Sequence, residues 1–314
     1  MKTNVLIELP TWIGDSVMVS PAIENLRRNI PNPAITFIGP SSSVILFQDA
    51  PDFVKAIEIK KTYKDFLILS RQLESFDLFI SFRSSLRSKI FSLFIKAKVK
   101  HFFSKRKFHG IHQVEKYNSF INEILSITSK PDRLKIYHKI KKKESKKVVI
   151  INPGASFGPA KRWDAKGFAK VAEYLSPNYD VLITGNKDDE MISNEITQYL
   201  SENKISNYKD LTGKTSLKEL LEVIANSNLF ITGDSGPMHI AAAFQIPSIN
   251  IFGPTRVNET CQWLNKISVD IYTNLDCQPC MQRNCPLNHH NCMKLIKSDD
   301  VIRKINEYSL EVGR

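Results

Sequence analysis

Short apolar runs separated by stretches of helical period constrain this chain more than any other feature of its sequence. Val5–Leu9, Ile35–Ile38, Val54–Ile59 and Leu78–Phe82 read as strands in the first half. The second half repeats the pattern more clearly. Strands are predicted at Val148–Asn152, Tyr179–Thr184, Leu229–Thr232 and Ser248–Phe252, with helices at Ala165–Leu175, Asp188–Leu200, Ser216–Ala225 and Met238–Phe244. Strands that alternate with helices pair in parallel, because each crossover helix returns the chain to the same end of the sheet. The pattern therefore predicts an α/β protein of two doubly wound, Rossmann-like domains, with ligands gathered beyond the carboxyl ends of the strands. A length of 314 residues suits two domains of about 150 each. Residues 130–147, KPDRLKIYHKIKKKESKK, hold nine Lys/Arg and a proline and read as a solvated basic linker. Domains of 1–147 and 148–314 follow.

With 42% hydrophobic and 24% charged residues the chain can bury two ordinary cores. No apolar run reaches the roughly 18 residues that span a bilayer. The first four residues pass straight into Val5–Leu9, too short a segment for a secretory leader, so a cytoplasmic protein is expected. Charge is divided unevenly. Residues 1–147 carry 27 Lys and Arg against 13 Asp and Glu, whereas 148–314 carry 17 against 19. A basic half implies a polyanionic partner: nucleic acid, an anionic membrane or a phosphorylated substrate.

Three turns carry candidate chemistry, each directly after a predicted strand. In Gly233-Asp234-Ser235-Gly236-Pro237-Met238-His239 a buried strand ends and a small-residue helix begins. Free N–H groups and a positive dipole at such a start suit a phosphate, with Ser235 as a hydroxyl donor and His239 one turn on. A capped helix, with Asp234 or Ser235 as N-cap and His239 packed, reads equally well. Asn152-Pro153-Gly154-Ala155-Ser156-Phe157-Gly158-Pro159-Ala160-Lys161-Arg162-Trp163 is a second loop able to wrap a ligand. There Lys161 is placed to neutralise a diphosphate leaving group, and Trp163 reads more readily as a core anchor. Pro10-Thr11-Trp12-Ile13-Gly14-Asp15-Ser16 sets Asp15 near a helix start, as a cap or as a general base facing an interdomain cleft. A single glycine there is not a dinucleotide fingerprint, which disfavours a nicotinamide enzyme.

Taken together, W-I-G-D-S, P-G-A-S-F-G-P-A-K-R-W, and G-D-S-G-P-M-H followed by I-F-G-P resemble the bacterial ADP-heptose:lipopolysaccharide heptosyltransferases, glycosyltransferase family 9. The resemblance runs along essentially the whole chain, and G-P-A-K-R-W is closest to the heptosyltransferase II branch. It implies a GT-B fold, two Rossmann-like domains facing across a cleft, and an inverting enzyme with no required metal or cofactor. The implied donor is ADP-L-glycero-β-D-manno-heptose, held by the C-terminal domain. The implied acceptor is heptosyl-Kdo2–lipid A at the inner face of the inner membrane. By position, Asp15 matches the base and Lys161 the lysine that stabilises departing ADP. Gly154, Asp234, Ser235, Gly236 and His239 match the donor site, and an acidic residue within 185–190 holds the ribose.

A polyanionic acceptor gives the basic half a purpose. Arg83, Arg87, Lys105 and Arg106 are the acceptor or membrane candidates, among Lys89, Lys96, Lys98, Lys100 and Lys107. They interleave with Phe91, Phe94, Ile95, Phe102 and Phe103, a stretch able to rest on anionic headgroups or to pack its aromatics into the core. Heptosyltransferase I is the alternative within the family, and a polyanion-binding module without turnover the alternative outside it. No RNA-binding signature supports the latter, so no nucleic-acid partner is expected. Cys277, Cys280, Cys285 and Cys292 fall within sixteen residues, with His289 and His290 among them. That spacing leaves structural zinc, plain thiols and a redox-formed disulfide open.

Overall fold

The computed structural model describes residues 2–58, 71, 73–141 and 147–312. It divides into two compact units, Met1–Lys139 and Ile140–Arg314. In the first, five parallel strands, β1 (Thr3–Glu8), β2 (Pro33–Gly39), β3 (Phe53–Glu58), β4 (Phe76–Ser81) and β5 (Ala97–Phe102), form a sheet of order β3-β2-β1-β4-β5. Its helices include α1 (Ile13–Met18), α2 (Ser20–Asn29), α3 (Ser41–Val44), α4 (Leu86–Leu93) and α5 (Gln113–Leu125). β1 is central because Val5, Leu6 and Ile7 are apolar on both faces, and all three are fully buried. The strand expected at Val54–Ile59 is observed up to Glu58, and Ile59 lies outside the described residues.

The second unit carries β6 (Val148–Asn152), β7 (Asp180–Ile183), β8 (Tyr208–Asp210), β9 (Leu229–Gly233), β10 (Ser248–Ile251) and β11 (Ser268–Ile271), all parallel, in the order β11-β10-β9-β6-β7-β8. Around them lie α6 (Ala165–Leu175), α7 (Glu190–Glu202), α8 (Leu217–Ala225), α9 (Gly236–Ala243), α10 (Val257–Thr260), α11 (Asn291–Lys294) and α12 (Ser298–Val312). Trp163 is a core residue, as its apolar ring suggests: it is 1% exposed, donates Nε1 to the Ile296 carbonyl at 2.9 Å, and meets Phe168 edge-on at 4.9 Å.

Each sheet has a point where strand order reverses, and there the turns on neighbouring strands diverge and leave a crevice. In the first unit this point lies between β1 and β4, in the second between β6 and β9. All three candidate turns follow strands at these points.

The basic stretch after residue 129 is only partly the solvated linker its composition suggests. Ser129 accepts from Asn118 and Asn122, the Lys135 amide donates to Ser20 Oγ, and the Tyr137 amide donates to the Leu46 carbonyl. Leu134 is 3% exposed among them. A leucine and a tyrosine in the run give it an apolar side, so it lies along the first unit up to Tyr137. Residues 142–146 lie outside the described residues.

Candidate functional site

In the first unit, the turn after β1 is stitched by hydroxyls. Ser43 Oγ donates to the Pro10 carbonyl at 2.7 Å, and Ser16 Oγ donates to Ser43 Oγ at 2.8 Å. Asp15 stands in the first turn of α1, whose N-cap is Trp12 with no side-chain cap bond. Its carboxylate instead meets a residue from α5: the Tyr117 hydroxyl donates to Asp15 Oδ1 at 2.9 Å. Tyr117 is 1% exposed, wedged against Phe82 and Phe103. Burial, together with the charge and hydrogen bond of Asp15, pushes its phenol well above the ordinary tyrosine range, so it stays a donor.

Beside this turn, at the ends of β1 and β4, Glu8 is 2% exposed and accepts from Ser81 Oγ at 2.5 Å and Ser88 Oγ at 3.0 Å. Arg83 closes on it, with Nη1 3.5 Å from Glu8 Oε1 and Nε donating to the Leu9 carbonyl at 2.7 Å. Burial dominates both groups, raising the Glu8 carboxyl and lowering Arg83, against their mutual attraction. Nη2 of Arg83 is buried without a partner among the described residues. Arg83 is thus half-sunk at the strand ends and not splayed on a surface. Arg87 lies near enough to act on the charge of Glu8.

Lys105 and Arg106 are exposed on a short 3-10 turn, as a surface role requires. The aromatics near them are divided by the fold. Phe91, Ile95 and Phe103 are buried core residues, while Phe94 and Leu93 are exposed at 43% and 77%. The stretch is no continuous exposed segment, because Phe91, Ile95, Ala97 and Phe102 pack into one core cluster.

In the second unit, the loops after β6 and β9 meet. Lys161 Nζ bonds Asp234 Oδ2 at 2.5 Å, and Thr255 Oγ1 donates to the same oxygen at 2.6 Å. Asp234 is therefore a partner for lysine and not a helix cap. Ser235 occupies the N-cap position of α9 without a side-chain cap bond, and its hydroxyl lies 3.0 Å from Thr232 Oγ1. The first N–H groups of α9, at Gly236 and Met238, accordingly face outward from the helix start beside Lys161. His239 is 3% exposed, one turn into the helix.

Gly154 is needed where it stands: a Cβ there would lie 2.3 Å from Asp189 Oδ2. Asp189 is buried, accepts from the Asn186 amide at 3.0 Å, and sits 3.4 Å from Arg162 Nη2. Of the acidic residues at 185–190, Asp189 is thus committed to the loop, and Asp188 and Glu190 are exposed.

Sequence reasoning missed Tyr117, Thr255 and Glu8. Thr255 directly follows the Ile-Phe-Gly-Pro run, and Glu8 is a charge inside an apolar strand, so both carried a signal; Tyr117 had none beyond ordinary core patterning.

All four clustered cysteines, with His289 and His290, line one small cavity beside Ala160 and Pro254. They are free thiols. Among the described residues no three His, Cys, Asp or Glu side chains form a group able to hold a metal ion. None of the described helices is long and apolar enough to cross a membrane.

Comparison with known proteins fits this geometry. Residues 111–291 match the profile of glycosyltransferase family 9 (heptosyltransferase). Lipooligosaccharide heptosyltransferase 2 of Campylobacter jejuni serotype O:6 is 43% identical, across 98% of this chain and 99% of its own. The Haemophilus influenzae protein of the same name is 30% identical over 85% of this chain and 88% of its own. Among solved structures, E. coli ADP-heptose LPS heptosyltransferase II superposes with a TM-score of 0.82 at 22% identity over the whole of both chains. E. coli heptosyltransferase WaaC with ADP gives 0.78 at 14%, covering 98% of this chain and 100% of its own. These superpositions show the fold, GT-B. A profile that spans more than half of the sequence, and a relative 43% identical along nearly all of it, place the chain in glycosyltransferase family 9, the heptosyltransferases.

Proposed function

We propose that this enzyme moves L-glycero-D-manno-heptose from ADP-heptose to the first heptose of the lipooligosaccharide or lipopolysaccharide inner core, with inversion. The observation that carries the reading to this acceptor is the full-length 43% identity to a lipooligosaccharide heptosyltransferase 2. The chemistry rests on the two crevices. Asp15, oriented by Tyr117, takes the proton of the attacking hydroxyl as the bond to the anomeric carbon forms. Lys161 receives the charge that develops on departing ADP, and the first N–H groups of α9 and the Ser235 hydroxyl hold its phosphates. Gly154, Asp234, Gly236 and His239 shape that donor pocket. The exposed Asp188 and Glu190 are the acidic residues left for the ribose hydroxyls. The acceptor is a polyanion at the inner leaflet. The basic first half, with Arg83 just past β4, Arg87 in the first turn of α4, and Lys105 and Arg106 on the surface, engages it.

The test is ADP release from ADP-heptose with heptose-free or mono-heptosylated Kdo2–lipid A. Turnover is expected on the mono-heptosylated acceptor; turnover confined to the heptose-free one would make this a first-heptose enzyme. Asp15→Asn is expected to lower kcat by roughly 10²–10⁴ while ADP still binds. Full activity in that variant would move the base elsewhere.

A further inference from the structure

The cysteine-rich loop is sewn to the loop after β6 and to the turn after β10 that carries Thr255. The Ala160 amide donates to the Arg283 carbonyl at 3.0 Å, and His290 Nε2 lies 2.8 Å from the Ala160 carbonyl. The Met281 amide donates to the Pro254 carbonyl at 2.9 Å, and Gln278 Nε2 to the Gly253 carbonyl at 2.7 Å. Contact at Gly158 is closer still: a Cβ there would stand 2.7 Å from the Arg283 carbonyl oxygen and 3.0 Å from its Cβ. Gly158 also has φ of +156°, which side chains rarely adopt.

These contacts present one side chain to the donor site. The Arg283 guanidinium packs over the Phe157 ring at 5.4 Å, and Lys161 Nζ lies over the same ring at 4.9 Å. Two cations thus share one aromatic platform, and stacking leaves the guanidinium edge free to donate. Their charges are not equivalent. Lys161 is matched by Asp234 and Arg162 by Asp189, whereas no carboxylate pairs with Arg283 among the described residues. A nucleoside diphosphate brings more than one negative charge, and α9 contributes only a partial positive one. The loops after β6 and β9 therefore lack a full, uncompensated cation, and the cysteine-rich loop supplies it.

We propose that Arg283 is a second cation of the donor diphosphate site, binding the terminal phosphate of ADP beside Lys161. This rests on the donor-site reading above. It gives the cysteine-rich loop a task in that site: to hold a guanidinium against Phe157.

The discriminating measurement is calorimetric affinity for ADP and for AMP in the full-length protein. Wild type is expected to prefer ADP. Arg283→Ala is expected to lose about tenfold in ADP affinity and less than twofold in AMP affinity, because AMP lacks the terminal phosphate. Arg283→Lys, which keeps the charge without the planar fork, should fall between. Gly158→Ala, which displaces the Arg283 backbone, should show the same ADP-selective loss. A purely structural residue would weaken both nucleotides together and lower the melting temperature; that outcome, or unchanged ADP affinity in Arg283→Ala, overturns the proposal. If wild type binds no ADP at all, the donor site itself is misassigned, a failure visible before any variant is made.

Discussion

One oxygen of the Asp15 carboxylate accepts from the Tyr117 hydroxyl, which orients the group proposed above as the base. A donor to a carboxylate favours its ionised form. Tyr117→Phe removes that donor, so the acid limb of the kcat profile is expected to move to higher pH. At about 1 kcal/mol for such a bond, kcat falls roughly fivefold with KM little changed. A pH profile that overlays wild type would remove Tyr117 from the mechanism. The placement of Asp15 at a helix start was legible in the sequence, because the turn that carries it directly follows an apolar strand. Tyr117 was not. It lies 102 positions away, and on the apolar face of α5 an aromatic residue reads as core, which it also is.

Among the elements, strands buried on both faces were readable, since β1, β6 and β9 are nearly continuous apolar runs. The strands that escaped, β5, β8 and β11, are all sheet edges. In β5, Lys98 and Lys100 alternate with Ala97 and Val99, a pattern that protects an edge from further pairing but hides the strand among basic residues. α2 offers a test at this scale. Its Glu24, 1% exposed at the side chain, binds Arg27 and Lys135 and accepts a short bond from Tyr137, so it pins the basic stretch to the first unit. Burial alone would raise its carboxyl, but hydrogen bonds from Arg27, Lys135 and Tyr137 win and hold it at about 2, below the usual 4.5. A depressed acid stabilises the fold fully above its unfolded pKa and loses that contribution as pH falls through the folded one. Between pH 4.5 and 2 the loss amounts to about 3 kcal/mol. Chemical denaturation at pH 6 and pH 3 should therefore show a smaller acid loss in Glu24→Gln than in wild type. Equal losses would mean that the anchor contributes nothing.

Over the whole molecule, positive charge is concentrated in the first 147 residues, at 27 Lys and Arg against 13 Asp and Glu. A protein so divided should sediment with vesicles rich in anionic lipid, release from them as salt rises, and ignore neutral vesicles. Replacing exposed Lys105 and Arg106 with Glu should weaken that binding severalfold without changing ADP affinity; undiminished binding would exclude this face from the membrane. The pairing of Lys161 with Asp234 separates the two substrates in a further respect. The lysine arrives at the reaction already neutralised from within, which leaves Arg283 as the one uncompensated cation proposed for the donor, so donor entry releases few counterions. A polyanionic acceptor displaces many ions from the basic half. Salt thus becomes a selector between the two substrates: raising it should lift the acceptor KM steeply and the donor KM only slightly.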